Sequence, residues 1–286
     1  MITMDAVTFG YGKRPLFEGL SLTFKPGGCY GLLGLNGAGK TSLLKLAAGA
    51  LLPASGSVDA FGRTPGRREA AHLADLCFVP EDPAPPAMTA AQWLDRVAVF
   101  RPRFDRLRFN ALMREFELPA ERKVSAWSYG QRKKFALAGA LASGARMLFL
   151  DEPTNGLDIP SKGQFRRALS AMQDPERVIV LSTHQVRDLE SLIDPVMVIH
   201  QGKAVFEAGA EELAAGLSTA RIPELAGRPV VAARRDAVGY SALLAEPGPA
   251  LDLELVFEAA VQAPARLRAA MAGQAIAELK PEEALV

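Results

Sequence analysis

The sequence predicts an α/β fold with a mostly parallel core sheet, an antiparallel β edge subdomain, a helical subdomain and a small C-terminal appendage. Three observations predict it. Short apolar segments with the length of buried strands alternate with helical patterns. Segments 2–9 and 16–24 instead alternate apolar and polar residues on either side of a turn. After about Gly209 the composition shifts to alanine, proline and arginine with weak periodicity.

The first 51 residues predict an edge element followed by a strand, a loop and a helix. Two strands, 2–9 and 16–24, flank the turn-rich segment 10–13. Residues 29–33 then form a short apolar run, and residues 41–51 carry apolar side chains at helical spacing. A glycine-rich loop joins this buried strand to the helix.

The middle of the chain predicts a helical subdomain at about 82–140. A strand over 76–79 ends in the segment 80–86, whose prolines exclude a helix. An amphipathic helical pattern follows over 89–118, and a further helix is predicted over 131–142. The predicted core stripe of the first pattern is Trp93, Leu94, Val97, Leu107, Leu112 and Phe116.

Further apolar strands complete the sheet. They are predicted over 147–150 and 178–181, and the pair 196–200 and 203–206 flanks Gln201-Gly202 as a hairpin. We therefore predict one large α/β domain over 1–209 and an accessory region over 210–286.

Charge and composition exclude some function classes. The chain has 33 Lys+Arg against 32 Asp+Glu, so no overall charge favours nucleic acid as a partner. Cys29 and Cys77 fit neither a disulfide framework nor a metal pair. No signal pattern opens the chain and no apolar run approaches the ~20 residues of a membrane span. We expect a cytoplasmic protein whose membrane partner, if any, is another chain.

The segment Gly34–Thr41 matches the phosphate-loop pattern GxxxxGK[ST], between a predicted strand and a helix. Backbone N–H groups and a helix N-terminus would cradle a triphosphate there. Lys40 would bridge the β- and γ-phosphates, and Thr41 would offer its hydroxyl to Mg²⁺. A glycine turn capping a helix is the alternative. The predicted nucleotide-binding residues are Gly34, Asn36, Gly37, Ala38, Gly39, Lys40, Thr41 and Ser42.

Two carboxylates follow the apolar strand 147–150. Ligands bind at the carboxyl ends of strands in open α/β sheets, which places both acids beside the phosphate loop. Asp151 would hold Mg²⁺, and Glu152 would polarise the water that attacks the γ-phosphate. Taken alone, the pair could also be an ordinary solvated strand end.

Together these features resemble the ATP-binding-cassette ATPase family over about residues 1–209. Segment 127–131 stands where that family carries its LSGGQ signature. The matching positions are Ser128, Gly130 and Gln131, and the differing ones are Trp127 and Tyr129. The resemblance implies that this segment binds the γ-phosphate of ATP held by the opposite subunit. A helix start capped by Ser128 is the alternative.

The resemblance assigns four further residues. Asp158 would lie in the D-loop and communicate across a dimer, and His184 would hydrogen-bond the γ-phosphate and position water. Tyr11 would stack on adenine, with packing at the sheet edge as its alternative. Glu81 stands where the family most often has glutamine. It would offer a hard oxygen to Mg²⁺ while adding negative charge, and a solvated loop acid is its alternative.

The resemblance implies a homo- or heterodimer that uses ATP and Mg²⁺ to drive transport through a separate membrane-spanning subunit. That subunit would dock at 80–86 and the following helices, holding the chain at the inner face of the cell membrane. Segments 100–105 and 251–257 resemble features of the family's exporter branch. Alternatives are a soluble cassette ATPase of a non-membrane assembly, or a cassette that binds ATP without turnover. Lys40 to Ser128 leaves no room for the long coiled coil of chromosome-associated relatives.

Overall fold

The computed structural model describes residues 1–172, 174–248 and 250–284. Its strands are β1 (Ile2–Phe9), β2 (Phe17–Phe24), β3 (Cys29–Leu33), β4 (Ser55–Ala60), β5 (Leu76–Val79), β6 (Met147–Asp151), β7 (Val178–Thr183), β8 (Val196–His200), β9 (Lys203–Ala208), β10 (Ser218–Ile222), β11 (Val230–Asp236) and β12 (Gly239–Leu244). Its helices are α1 (Lys40–Ala47), α2 (Ala70–Asp75), α3 (Ala90–Val97), α4 (Arg106–Glu115), α5 (Tyr129–Leu141), α6 (Ile159–Ser170), α7 (Ala210–Gly216), α8 (Leu253–Gln262) and α9 (Pro264–Met271).

The central sheet has six strands in the order β5-β6-β7-β3-β8-β9. The first five run parallel, and β9 returns antiparallel beside β8. Gln201 and Gly202 both have positive φ at that turn, as a two-residue hairpin loop of this type requires. The residues of β6 and β7 are all buried, because helices cover both faces of the sheet. The predicted α/β class is confirmed.

A second sheet forms the antiparallel edge subdomain. Its order is β2-β1-β4, with β1 paired to both neighbours. Its inward residues, among them Ile2 and Phe24, share one buried cluster with Leu43 and Leu44 of α1. The edge sheet therefore packs on the helix that follows the phosphate loop.

Helix α1 ends four residues before the predicted end at Leu51. Gly49 has φ of +70°, a left-handed conformation that closes the helix. A Cβ at this position would lie 2.2 Å from the carbonyl oxygen of Pro65. Glycine is therefore required both for the backbone angle and for the close approach.

The helical pattern over 89–118 is two helices rather than one. Helix α3 ends at Val97, and α4 begins after Asp105, whose side chain accepts a hydrogen bond from the N–H of Arg108 at 2.8 Å. Pro102 lies in the connection. The break resets the helical phase, so Leu107, predicted in the core stripe, is 83% exposed. That part of the stripe prediction is wrong.

The accessory region contains a third sheet in the order β10-β12-β11, entirely antiparallel. Helices α8 and α9 pack on it, and their buried apolar residues belong to the same cluster as Leu148 and Leu150 of β6. Arg187, just after β7, lies 2.7 Å from the Glu254 carboxylate, and the Glu190 carboxylate accepts from the N–H of Leu253 at 2.9 Å. The region thus contacts the segment that follows β7.

Within the described residues no helix is both long and apolar enough to cross a membrane.

Candidate functional site

Four strand ends converge at one edge of the central sheet. The phosphate loop follows β3, Glu81 follows β5, Asp151 ends β6 with Glu152 directly after it, and His184 follows β7. Because all four strands are parallel, their carboxyl ends lie on the same side. The fold alone therefore brings the predicted catalytic groups together.

The phosphate loop wraps over the N-terminus of α1. Gly39 caps the helix with φ of +102°, and a Cβ there would lie 2.6 Å from the Phe17 ring. The Lys40 ammonium is nearly buried, and its Nζ donates to the Gly34 carbonyl oxygen at 2.7 Å. A positive charge and a free helix N-terminus thus share one loop, an arrangement suited to a phosphate chain.

Thr41 and Asp151 meet across the site. The Thr41 hydroxyl donates to Oδ2 of Asp151 at 2.7 Å, and the Ser182 hydroxyl donates to its other oxygen, Oδ1. Ser182 pairs with Asp151 in the register of β6 and β7, so the neighbouring strand fixes the carboxylate. Two hard oxygens of different chemistry therefore face the start of α1.

Glu152 sits between a lysine and a histidine. Its Oε1 lies 2.9 Å from Nδ1 of His184 and 3.6 Å from Nζ of Lys40. Its backbone adopts φ of +45°, and its N–H donates to the carbonyl oxygen of Ser182 at 3.0 Å. The left-handed conformation turns the carboxylate away from the strand direction and toward the phosphate loop.

The phosphate loop and two of the predicted acids line one cavity. Residues 36–42, Tyr11, Leu16, Glu81 and Glu152 line it. The Tyr11 ring is largely exposed, and its hydroxyl lies 3.2 Å from that of Ser42. The phosphate loop, the predicted aromatic residue and two of the predicted acids therefore face the same space.

The predicted signature residues lie elsewhere on the chain. Within the described residues, Ser128 is absent from the lining of that cavity. Its side chain caps α5 and accepts from the N–H of Gln131 at 3.3 Å, while the Gln131 side chain accepts from the N–H of Ser128 at 3.0 Å. Asp158 caps α6 through the N–H of Ser161 at 2.9 Å, and hydrogen bonds from the Ser161 hydroxyl and N–H lower the pKa of the Asp158 carboxyl. Both residues start helices in this chain.

Sequence reasoning missed three residues near the site. They are Ser182, Lys133 and Asn155. Ser182 was signalled by its polarity at the end of an apolar strand, and Lys133 by a charge among the apolar positions of α5. Asn155 carried no signal in sequence, because its contact is with Glu81, remote along the chain.

The comparisons decide the family. The family model described as "ABC transporter" matches residues 17–155. The ABC transporter ATP-binding protein NatA of Bacillus subtilis (strain 168) is 32% identical over 201 residues, covering 68% of this chain and 82% of that relative. This chain is a member of the ABC transporter family. It is an ATP-binding and ATP-hydrolysing subunit of that family.

Two further comparisons extend the match. The Nod factor export ATP-binding protein I of Paraburkholderia xenovorans (strain LB400) is 31% identical over 242 residues, covering 82% of the cassette chain and 79% of that relative. A solved dimeric ATP-binding cassette, in a post-hydrolysis state with ADP and Pi, superposes with a TM-score of 0.66 at 20% identity. It covers 73% of this cassette chain and 98% of its own, and it confirms the fold.

Proposed function

We propose that the chain hydrolyses Mg·ATP within a dimer of cassettes and thereby drives export through a separate membrane-spanning subunit. The observation that carries the proposal is the convergence of Lys40, Thr41, Asp151, Glu152 and His184 on one edge of the sheet. These groups supply phosphate binding, metal binding and water activation in one place.

Phosphate binding falls to the loop and Lys40. Nζ of Lys40 donates to the Gly34 carbonyl oxygen and lies near the Glu152 carboxylate. An incoming triphosphate would replace these partners with its β- and γ-oxygens, because a charged phosphate is a stronger acceptor than a carbonyl. Asn36 to Ser42 would contribute backbone N–H groups, and Tyr11 would stack on the base.

The oxygens at the site fit Mg²⁺. Thr41 and Asp151 place a hydroxyl and a carboxylate side by side, and Glu81 lines the same cavity. Magnesium prefers such oxygens and usually takes only one or two carboxylates from the protein. When bound, the ion neutralises charge developing on the phosphates.

Water activation falls to Glu152. Its carboxylate would accept a hydrogen bond from water and hold the oxygen toward the γ-phosphorus. As that oxygen bonds to phosphorus, the bond to the bridging β–γ oxygen breaks, and the water proton passes to the carboxylate. His184 orients the carboxylate through its Nδ1 and would contact the γ-phosphate.

A second cassette would complete the site. Ser128, Gly130 and Gln131 lie outside the chain's own cavity, which is the placement expected if they serve the ATP of an opposite subunit. Asp158, at the start of α6, would face the same dimer contact. The dimeric solved cassette supports this assembly.

The export direction rests on relatives. The Nod factor export protein is named for export, and the match covers most of both chains. We place the partner's docking surface at 80–86 and the helices after it, where an apolar cavity lies between β5 and α5. The chain would then sit at the inner face of the cell membrane. We assign the catalytic domain to residues 1–209 and the accessory region to 210–286.

The decisive variant is Glu152→Gln, which keeps the shape of the side chain and removes its basicity. It should abolish turnover and accumulate an ATP-bound dimer on gel filtration. Glu176→Gln, on an exposed carboxylate, is the matched control and should keep wild-type activity. Full ATPase activity in Glu152→Gln would refute the proposed base.

A second experiment tests export. The tagged chain, purified from native membranes with mild detergent, should bring down a multispanning membrane protein in stoichiometric amount. Recovery with ribosomes or soluble scaffold proteins alone would overturn the transport assignment.

A further inference from the structure

Glu81 and Tyr129, two of the positions that depart from the family pattern, contact each other. The Tyr129 hydroxyl donates to the main-chain carbonyl oxygen of Glu81 at 3.0 Å. The Tyr129 ring also lies against Gly156, since a Cβ on that glycine would be 2.3 Å from the ring. One side chain therefore touches both the segment after β5 and the 155–158 loop.

The Glu81 side chain has its own partner. Nδ2 of Asn155 donates to Oε1 of Glu81 at 2.6 Å. Glu81 is thus bound at its main-chain carbonyl by Tyr129 and at its carboxylate by Asn155. A Cβ at Gly130 would lie 3.3 Å from the carbonyl oxygen of Gly156, so the start of α5 also packs closely on the 155–158 loop.

Lys133 makes a third contact with Glu81. Its side chain is fully buried on α5, and Nζ donates to the same Glu81 carbonyl oxygen at 2.6 Å and to the Asp151 carbonyl oxygen at 3.4 Å. A buried ammonium is stable only where acceptors surround it. Its position joins α5 to the end of β6 as well as to Glu81.

We propose that Tyr129, Lys133 and Asn155 form a latch on Glu81. The latch makes three segments move as one body, namely residues 80–82, the signature segment 127–131 and the 155–158 loop. This inference rests on the proposed function: the first segment lies within the proposed docking surface, and the other two serve the ATP shared between subunits. A displacement imposed by the membrane partner at 80–82 would therefore reach both parts of the shared site.

The latch residues are positioning residues rather than catalytic ones. Each hydrogen bond is one of many holding the fold, and Tyr129 and Asn155 are only partly buried. Loss of such a bond changes stability little, whereas a displacement of about 1 Å at an active site lowers turnover by as much as about 100-fold. A large loss of turnover with little loss of stability therefore distinguishes the latch from a purely structural role.

The first test is Tyr129→Phe, which removes the hydroxyl and keeps the ring against Gly156. We expect kcat for ATP to fall by about 10-fold while KM and the melting temperature stay near wild type. Tyr240→Phe, in the accessory sheet, is the matched control and should leave kcat unchanged. Wild-type kcat in Tyr129→Phe, or a loss of kcat that merely follows a loss of folded protein, would overturn the latch.

The second test is a double-mutant cycle on Glu81→Ala and Asn155→Ala, with Asn110→Ala, exposed on α4, as the control for the asparagine. If the contact couples the two segments, the double variant should have about the kcat of the more damaged single variant. If the fold-losses in kcat of the two single variants multiply in the double variant, the two residues act independently and the proposal is wrong.

Failure of the latch differs from failure of the proposed function. An inactive wild-type chain, or an active Glu152→Gln, contradicts the function itself. An active wild type and an inactive Glu152→Gln, together with a fully active Tyr129→Phe, contradict only the latch.

Discussion

His184 and Glu152 are joined twice. Nδ1 of the ring lies 2.9 Å from Oε1 of the carboxylate, and the His184 N–H donates to Oε2 at 3.4 Å. The two residues directly follow neighbouring parallel strands, so the pairing of β6 with β7 sets their separation. The ring therefore fixes the direction of a carboxylate whose backbone is already turned toward the phosphate loop.

Replacing His184 with alanine should lower kcat by about 10- to 100-fold, because the Glu152 carboxylate would lose the partner that orients it. ATP affinity should change much less, since we assign phosphate binding mainly to the loop and Lys40. Steady-state ATPase assays and titration calorimetry with ATP measure the two quantities. An equal loss of affinity and turnover would contradict an orienting role.

Replacing Lys40 with alanine should raise the Kd for ATP by about 10- to 100-fold, because a charge-assisted hydrogen bond contributes about 1.5–3 kcal/mol. Lys45→Ala, one turn later on α1 and only half-buried, is the matched control. Calorimetry on both variants makes the comparison. Similar affinities in the two would argue against the phosphate-loop assignment.

The pH dependence of stability should contain a contribution from His72. This side chain is fully buried on α2, and burial lowers the pKa of its imidazole below the ordinary value. The unfolded chain then binds a proton more readily than the folded one, so the free energy of unfolding falls as pH drops below about 6.5. Above that pH the contribution vanishes.

His72→Leu should therefore flatten the loss of stability between about pH 7 and 5. Urea unfolding at several pH values measures the slope, and His200→Gln, on a partly exposed histidine, is the control. An unchanged slope in His72→Leu would show that other groups carry the acid sensitivity.

Asp252→Ala should cost about 1 kcal/mol of stability, the typical contribution of a helix N-cap. The Asp252 side chain accepts from the N–H of Glu254 at 2.8 Å at the start of α8, which packs into the main buried cluster. Asp95→Ala, on an exposed carboxylate, should change stability by less than about 0.5 kcal/mol. Equal urea midpoints for the two variants would contradict the capping role.

The elements that follow local rules could be predicted from sequence. The phosphate loop, the strand 147–150 and the hairpin at Gln201-Gly202 each combine a hydrophobic period with a specific turn or motif. The predicted stripe failed at Leu107, because the break around Pro102 changes which face of α4 is buried. A hydrophobic period read across a helix break therefore cannot predict which face of the second helix is buried.

Other features depend on contacts that no local pattern contains. The partners of Lys133 are main-chain carbonyls about fifty residues earlier and about twenty later, so its burial follows from the folded arrangement alone. The accessory sheet places β12 between β10 and β11, and none of the three strands shows a regular alternation of buried and exposed residues. Tertiary contacts therefore determine both the burial of Lys133 and the strand order of the accessory sheet.

Glu152 occupies a left-handed backbone conformation that glycine or asparagine would adopt more readily. For an L-residue with a longer side chain, this angle costs about 1–2 kcal/mol. Selection for thermal stability alone would therefore favour glycine at position 152, and the more stable protein would lack the carboxylate that we propose activates water. At this one residue, the backbone angle that places the proposed catalytic carboxylate also lowers the stability of the fold.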